Sequence, residues 1–193
     1  IFEKPYFKMK QLFTSVFFVI SIFSFAQNLK LITYNIRLDL ASDGENAWSN
    51  RKDYFCSQLA FYEPDIFGIQ EALPNQVIAI ASALPKYNHV GIGRDGIGKG
   101  ESSNIFYKKD RFELLQESTF WLSETPEVMS KGWDAALNRV CTYALFKDKK
   151  TNQIFWVFNT HFDHIGELAR TNSIKLILSK IKTLNAKNYP VFF

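Results

Sequence analysis

The sequence predicts an α/β domain, and three observations support this prediction. Short apolar runs that are typical of buried strands first alternate with amphipathic helical segments. Later runs follow one another with only polar turns between them, which is typical of strands that pair as neighbours. A chain of 193 residues with 47% hydrophobic content is also long enough to form one well-buried domain.

The N-terminal segment resembles a processing signal rather than part of a folded domain. Met9 and Lys10 begin a short basic start, an apolar run extends from Leu12 to Phe25, and small residues lead to Ala26. We therefore interpret residues 9–26 as a secretory signal peptide. The alternative is a membrane anchor, but the run of about 14 residues is shorter than the roughly 20 that span a bilayer.

These boundaries leave residues 27–193 as one domain, and residues 1–8 as translation upstream of the true start. Residues 1–26 contain three Lys and one Glu, so the formal charge of +4 falls to +2 for the remainder. A nonspecific nucleic-acid binder is expected to show a marked excess of basic residues, which residues 27–193 lack. We expect an exported protein, periplasmic or extracellular, with no stable membrane anchor and no obligate protein partner.

The first half of the domain predicts a β-α-β-α order. The helices are indicated by apolar residues at three- to four-residue spacing and by prolines at their ends. The predicted elements are a strand at Leu29–Ile36, a helix that buries Phe55, Leu59 and Tyr62 before Pro64, a strand at Ile66–Ile69, and a helix at Asn75–Leu84 behind Pro74.

The second half predicts mainly strands. Five glycines between Gly91 and Gly100 indicate a flexible loop, and this loop runs into a strand rather than opening a helix, which excludes a dinucleotide-binding turn. The predicted elements are strands at Ser103–Tyr107, Phe112–Leu122, Val140–Phe146 and Ile154–Asn159, a helix at Gly166–Thr183 that buries Leu168, Ile174, Leu178 and Ile181, and a strand from Tyr189. Cys56 and Cys141 have apolar neighbours, which favours buried free thiols over a disulfide.

Polar side chains follow three of these strands. Asn35 and Glu71 offer the oxygen ligands that a hard cation such as Mg²⁺ prefers, although an Asn at a strand end more often satisfies backbone groups. A carboxylate that abuts a buried strand costs free energy unless a cation or a donor satisfies it. His161 can donate to a phosphate oxygen or bind a transition metal, and a structural hydrogen bond is the simpler alternative. Together the three strand ends predict one polar site.

A zinc site is the competing interpretation of the same segment. The spacing Asn159-x-His161-x-Asp163-His164 matches the zinc motif of metallo-β-lactamase-type hydrolases, except that Asn replaces the first His. Those enzymes use further downstream His ligands, and this chain has only three His in all. The ligand count that zinc requires is therefore missing.

The blocks LITYNIR, PDIFGIQEAL, GESSNIFYKKDRFELL, FWLSETP, NRVCTYALF and FWVFNTHFDH occur in order and resemble the endonuclease/exonuclease/phosphatase superfamily, in a bacterial exported branch. This resemblance implies a four-layer α/β sandwich, with two mixed β-sheets flanked by helices. It also implies a divalent-metal phosphoesterase site at one edge. The substrate would be a phosphodiester or phosphomonoester in a nucleic acid, a phospholipid headgroup or a sugar phosphate.

The resemblance also assigns roles to individual residues. Glu71 and Asn35 are expected at the metal, which would be Mg²⁺ or alternatively Mn²⁺. His161, Asn159 and Arg139 are expected in the catalytic set, with His161 stabilising the attacked phosphate and Arg139 as a further phosphate contact. An ordinary surface cation is the alternative for Arg139.

Two later motifs of the family, a Gly-Asp-x-Asn turn and an Asp-His pair, do not occur before Phe193. We therefore expect the C-terminal part of the domain to be missing and the fragment to be poorly active. A noncatalytic binding domain on the same scaffold is the alternative function.

Overall fold

The computed structural model describes residues 28–193, so the predicted signal peptide at 9–26 and the residues before it lie outside the described part. Within that part the chain forms eight strands and three α-helices, and each predicted element is present with bounds within three residues of those expected. The elements are β1 (Leu31–Asn35), a 3₁₀ helix (Ala41–Asn46), α1 (Trp48–Tyr62), β2 (Ile66–Gln70), α2 (Pro74–Ala83), β3 (Tyr87–Val90), β4 (Ile105–Lys108), β5 (Phe112–Trp121), β6 (Val140–Asp148), β7 (Ile154–Thr160), α3 (Glu167–Leu184) and β8 (Val191–Phe192).

The strands form two mixed sheets of four strands each. The first has the order β1-β2-β4-β3, with β1 and β2 parallel and the other neighbours antiparallel. The second has the order β5-β6-β7-β8, in which only β7 and β8 are parallel. Asn35 pairs with Gln70 in the parallel register, so β1 and β2 end at the same edge of the first sheet.

Apolar side chains pack these elements into four layers. Between the sheets, Ile66 and Ile105 of the first sheet belong to the same buried cluster as Phe146 and Val157 of the second. A second cluster packs α1 and α2 on the outer face of the first sheet, and a third packs α3 on the outer face of the second. The predicted α/β sandwich of two mixed sheets with flanking helices is confirmed.

The buried face of α3 differs from the prediction. Leu168, Ile174 and Leu178 are exposed, and only Ile181 packs against the core as expected. The helix is instead buried at Ala169, Ser173 and Ile177, which recur every four residues. The buried face is therefore rotated relative to the predicted one. In α1, Phe55 and Leu59 are buried as predicted, but Tyr62 in the last turn is exposed.

The sheets are also joined by an ionic network. The guanidinium of Arg111 contacts Asp65 at 2.6 Å and Asp148 at 2.8 Å, and all three side chains are largely buried. Burial opposes ionisation of Asp65, but a backbone N–H bond from Lys30 and bonds from Arg111 and Lys108 outweigh it and lower the pKa of this carboxyl.

The prediction for the cysteines is confirmed. Both cysteines are free thiols, with Cys141 fully buried and Cys56 half-buried. Burial raises the pKa of the Cys141 thiol, as expected for an unreactive core residue. Across residues 28–193, no helix is both long and apolar enough to cross a bilayer.

Candidate functional site

The structure brings together three of the side chains predicted to share a site. Asn35 is the last residue of β1, Glu71 follows β2 and His161 follows β7. The Asn35 amide donates from Nδ2 to Oε1 of Glu71 at 2.8 Å. Nε2 of His161 lies 3.8 Å from the same carboxylate oxygen. Glu71 is therefore the centre of a cluster that draws one residue from each of three strand ends.

The backbone of Glu71 is unusual. Its φ of 63° lies in the left-handed region, which residues with a Cβ seldom adopt. Its carboxylate is also held, with Oε2 accepting a bond from the backbone N–H of Leu38 at 3.3 Å. Strained conformations cluster at functional sites, where the surrounding structure enforces them. The conformation of Glu71 therefore supports a functional role for this carboxylate.

The oxygen donors at this point fit a hard divalent cation better than zinc. Among residues 28–193, His, Cys, Asp and Glu nowhere form a group of three or more that could hold a metal ion. Mg²⁺ commonly uses only one or two carboxylates, with waters and substrate phosphates completing its coordination. Glu71 supplies one carboxylate, and the Asn35 amide beside it is oriented, with its Oδ1 accepting from the backbone N–H of Arg37 at 3.0 Å and its Nδ2 directed at Glu71. The residues present thus fit a sparsely ligated, oxygen-preferring cation.

Arg139 organises the histidine side of the site. Its Nε donates to Oδ2 of Asp163 at 3.2 Å, and its two Nη atoms lie 3.2 Å from Nδ1 of His161 and 3.0 Å from Nδ1 of His164. A guanidinium can only donate, so each of these Nδ1 atoms must accept. A neutral imidazole that accepts at Nδ1 carries its proton on Nε2. His161 therefore presents an N–H group toward Glu71 and the open side of the site.

The protonation of these groups follows from the same contacts. Burial lowers the pKa of His161, and the positive charge of Arg139 lowers it further, against a smaller opposing effect of Glu71. Burial opposes ionisation of Asp163, but backbone N–H groups, including that of Gly166, and the Arg139 guanidinium outweigh it and hold its pKa well below the usual range. The site at neutral pH thus contains an ionised Asp163 and an uncharged His161.

These contacts change the interpretation of Arg139. The alternative of an ordinary surface cation is wrong, because the side chain is only 6% exposed. The expected phosphate contact stays a prediction, since the guanidinium lines the recess beside Glu71 but already binds three side chains. A cation between His161 and His164 also disfavours the zinc alternative, which needs both imidazoles as metal ligands.

Asn159 lies between the two sheets and not in the recess that Glu71 and His161 line. Its Oδ1 accepts a bond from Gln70 at 2.7 Å, and its Nδ2 donates to the carbonyls of Ile69 and Asn104, both at 2.9 Å. The amide thus joins the end of β7 to β2 and to the residue before β4. Its contacts are those of a residue that fixes the sheets relative to each other, and its catalytic role stays a prediction.

The glycine-rich loop contributes residues that the sequence analysis did not identify. Arg94, Glu101 and Ser102 line the same recess as Glu71 and His161. The loop is internally bonded, because the backbone N–H of Arg94 donates to the carbonyl of Glu101 at 2.8 Å. The sequence did contain a signal for these residues, because the charged Arg94 and Glu101 occur in the glycine-rich stretch that precedes β4. The glycines indicated a flexible loop, and this obscured the oppositely charged pair of Arg94 and Glu101.

Comparisons with known proteins identify the family of this fold. No family model matches the chain. A solved endonuclease/exonuclease/phosphatase from Bacteroides vulgatus is 46% identical, with a TM-score of 0.80 over 82% of this chain and 61% of that one. The chain belongs to the endonuclease/exonuclease/phosphatase superfamily. A second structure of this kind, the mannosyl-6-phosphatase of Bacteroides thetaiotaomicron, is 43% identical, with a TM-score of 0.83 over 85% of this chain and 63% of that one.

The matched proteins are longer than this chain. Uncharacterized protein L388 of Acanthamoeba polyphaga mimivirus is 30% identical over 137 residues, which is 67% of this chain and 51% of that protein. The chain therefore spans about half the length of this curated relative and about three fifths of the two solved structures.

Proposed function

We propose that the protein is a divalent-cation-dependent phosphoesterase that hydrolyses a phosphate ester by attack of water on phosphorus. The observation that carries this proposal is the cluster of Glu71, Asn35 and His161 at three strand ends, with 2.8 Å between Asn35 and Glu71 and 3.8 Å between His161 and Glu71. It combines an oxygen-donor set for a hard cation with an N–H donor for an anion. The relatives that share the fold include a named phosphatase.

The charges around the recess support a requirement for a cation. Arg94, Arg139, Glu71 and Glu101 line the recess, Arg94 pairs with Glu101, and Arg139 pairs with Asp163. With an uncharged His161, this set carries one net negative charge. A phosphate ester is itself an anion, so it would be repelled from the bare site. A divalent cation at Glu71 and Asn35 would reverse the charge and neutralise the phosphoryl oxygens.

His161 would act as a hydrogen-bond donor in this reaction. Its Nε2–H faces the recess because Arg139 occupies Nδ1. When water attacks phosphorus, a new P–O bond forms, the P–O bond to the alcohol breaks, and negative charge grows on the nonbridging oxygens. A fixed donor aimed at such an oxygen stabilises the transition state more than the ground state. Because burial lowers its pKa, His161 donates as a neutral imidazole and is not charged at neutral pH.

Several lines favour a small phosphate ester outside the cytoplasm. The 43% identical relative is named as a mannosyl-6-phosphatase, which supports a sugar phosphate over a nucleic acid. The near-neutral charge of residues 27–193 points the same way, because nonspecific nucleases depend on phosphate neutralisation. The signal-like segment at residues 9–26 supports export to the periplasm or beyond. Mg²⁺ is the proposed cation, with Mn²⁺ as a substitute of similar ligand preference.

The experiment that tests this function measures phosphate release from a panel of phosphate esters by the complete protein, with and without Mg²⁺. Glu71→Gln should abolish the Mg²⁺-dependent turnover while the protein remains folded. His161→Ala should also abolish turnover but leave cation affinity nearly unchanged. Full activity of Glu71→Gln would overturn the proposal. Cation-independent turnover would overturn the role of the metal, and a folded protein that binds esters without turnover would indicate a noncatalytic binding domain.

A further inference from the structure

Charged residues are distributed unevenly between the two ends of the sandwich. The connections at the end that holds the site contain ten acidic and five basic residues, and they are residues 36–47, 71–73, 91–104, 122–139 and 161–166. The connections at the opposite end contain three acidic and seven basic residues, and they are residues 28–30, 63–65, 84–86, 109–111, 149–153 and 185–190. The domain is therefore strongly polarised, although its net charge is small.

Five exposed lysines at the end opposite the site form a basic face, and they are Lys30, Lys86, Lys109, Lys149 and Lys150. Hydrogen bonds hold their loops side by side. The backbone N–H of Lys109 donates to the carbonyl of Lys86 at 3.2 Å, and Nζ of Lys149 donates to the carbonyl of Lys109 at 2.9 Å. The backbone N–H of Lys30 donates to Asp65 at 2.9 Å, which ties the start of β1 to the ionic network between the sheets. The lysines thus belong to one continuous surface.

The acidic residues at this end leave most of the lysine charge uncompensated. Asp65 is buried and binds Arg111 at 2.6 Å. Glu63 lies 3.7 Å from Nζ of Lys86, but both side chains are exposed, so this pair contributes little. Asp110 is the other exposed carboxylate here, and within residues 28–193 it forms no ion pair. Five exposed lysines are therefore accompanied by two exposed carboxylates, and the basic face keeps a positive charge.

We propose that the basic face docks the protein, peripherally and reversibly, on an anionic lipid bilayer, where it binds the phosphates of the headgroups. Lysines are point charges that suit diffuse attraction to a charged surface, whereas arginine suits the recognition of a single phosphate. The one arginine at this end, Arg111, is already held by Asp65 and Asp148. A single-stranded nucleic acid fits less well, because it binds on exposed aromatic platforms. Tyr189, the one aromatic residue of these connections, packs against the α3 cluster.

The connectivity and the charge polarity give this docking a direction. Residues 28–30 lead into β1 at the basic end, so the apolar run at Leu12–Phe25 is attached on this side. An anionic surface attracts the basic face and repels the acidic end that holds Glu71. Docking therefore turns the recess beside Glu71 away from the bilayer, where soluble esters reach it. The inference does not depend on the proposed function, because it concerns the opposite end of the domain.

Co-sedimentation of the complete protein with lipid vesicles tests the proposal. Phosphatidylcholine vesicles measure any insertion of the apolar N-terminal run, so the additional binding to vesicles with an equal share of phosphatidylglycerol measures the basic face. Each lysine near an anionic surface changes the affinity about fivefold, so the triple variant Lys109→Gln, Lys149→Gln and Lys150→Gln should weaken the additional binding by about 100-fold. Raising NaCl from about 0.1 M to about 1 M should abolish it, because the screening length falls from about 10 Å to about 3 Å.

A second triple variant, Lys52→Gln, Lys99→Gln and Lys131→Gln, is the matched control, since it removes the same charge from exposed positions outside the basic face. It should bind anionic vesicles nearly as the wild type does. Equal losses in the two triple variants, or a wild type without charge-dependent binding, would overturn the proposal. Binding to heparin or single-stranded DNA but not to the vesicles would also overturn it. Glu71→Gln should bind vesicles as the wild type does, so failure of the proposed function leaves this test intact.

Discussion

Replacing Arg139 with Met would remove the group that connects Asp163 to both histidines of the site. Arg139 is 6% exposed and Asp163 only 1%, so the substitution places an apolar side chain of similar length against a buried carboxylate. It eliminates the bond to Asp163 and the bonds to Nδ1 of His161 and His164. Both the stability of the domain and the chemistry of His161 should change.

The loss of stability can be estimated from the charge that remains. Removing one partner of a buried ion pair typically costs about 3–5 kcal/mol. Asp163 keeps bonds from the backbone N–H groups of Ile165 at 3.0 Å and Gly166 at 2.8 Å, which continue to stabilise its charge. We therefore expect a decrease in the free energy of unfolding near the lower limit, about 3 kcal/mol. Urea denaturation at pH 7 measures it directly.

The same variant should raise the pKa of His161, because the positive charge of Arg139 contributes to lowering it. In the wild type the unfolded state takes up a proton at a higher pH than the folded state. Stability therefore falls as the pH drops from about 6.5 toward the folded pKa. In Arg139→Met this fall should be smaller. Nitrogen-15 NMR of the imidazole rings reports the tautomer and the pKa together, and His161 should lose its uniform Nε2–H form.

Arg170→Met is the matched control. Arg170 binds the backbone carbonyl of Asp163 at 3.1 Å and no side chain of the site. Removing the Arg170 side chain should lower the free energy of unfolding by about 1 kcal/mol and leave the His161 tautomer and pKa as in the wild type. Arg139 does not orient His161 if Arg139→Met retains the Nε2–H tautomer with an unchanged pKa, or if the two arginine variants have equal effects on His161.

Three further predictions concern the scaffold around the site. Gly68→Ala should lower the free energy of unfolding by about 1–3 kcal/mol in urea, because a Cβ there would lie 2.8 Å from Cγ of Asn159, and wild-type stability would contradict the tight inter-sheet contact. In thermal denaturation, the free energy of unfolding of Glu71→Gly should exceed that of Glu71→Ala by about 1 kcal/mol, because the φ of 63° at residue 71 favours glycine. The reverse order would show that the backbone is unstrained there. Arg111→Met should lower the free energy of unfolding, measured in guanidinium chloride, by about 3–5 kcal/mol, because Asp65 loses its guanidinium partner. A denaturation midpoint unchanged from the wild type would argue against the ionic network.

The sequence predicted the order of the elements because strand and helix periodicities are local properties. It also predicted the meeting of Asn35, Glu71 and His161, since residues that follow strands of one sandwich edge are brought together by topology. The buried face of α3 could not be predicted in the same way. The residues buried along it are Ala169, Ser173 and Ile177, whereas a hydrophobicity pattern favours the largest apolar residues.

The polar partnerships were beyond the reach of sequence reasoning for a different reason. Arg139 and Asp163 are 24 residues apart, and Gln70 and Asn159 are 89 apart, so only the packing of the two sheets reveals either contact. Arg94 lies on a loop whose glycines indicated flexibility, although its hydrogen bonds fix it beside the site. Composition identifies such residues as charged, but the tertiary structure determines which donors remain free.

The central claim is that Glu71 holds a divalent cation, and Mn²⁺ binding measured by electron paramagnetic resonance tests it most directly. The wild type should bind one ion at this position without any substrate. Glu71→Gln should weaken that binding by at least about tenfold, since it replaces the charged ligand with a neutral amide. Glu117→Gln, which alters an exposed carboxylate on β5, should bind as the wild type does. Equal Mn²⁺ affinity in the wild type and Glu71→Gln would contradict the assignment of Glu71 as the metal ligand.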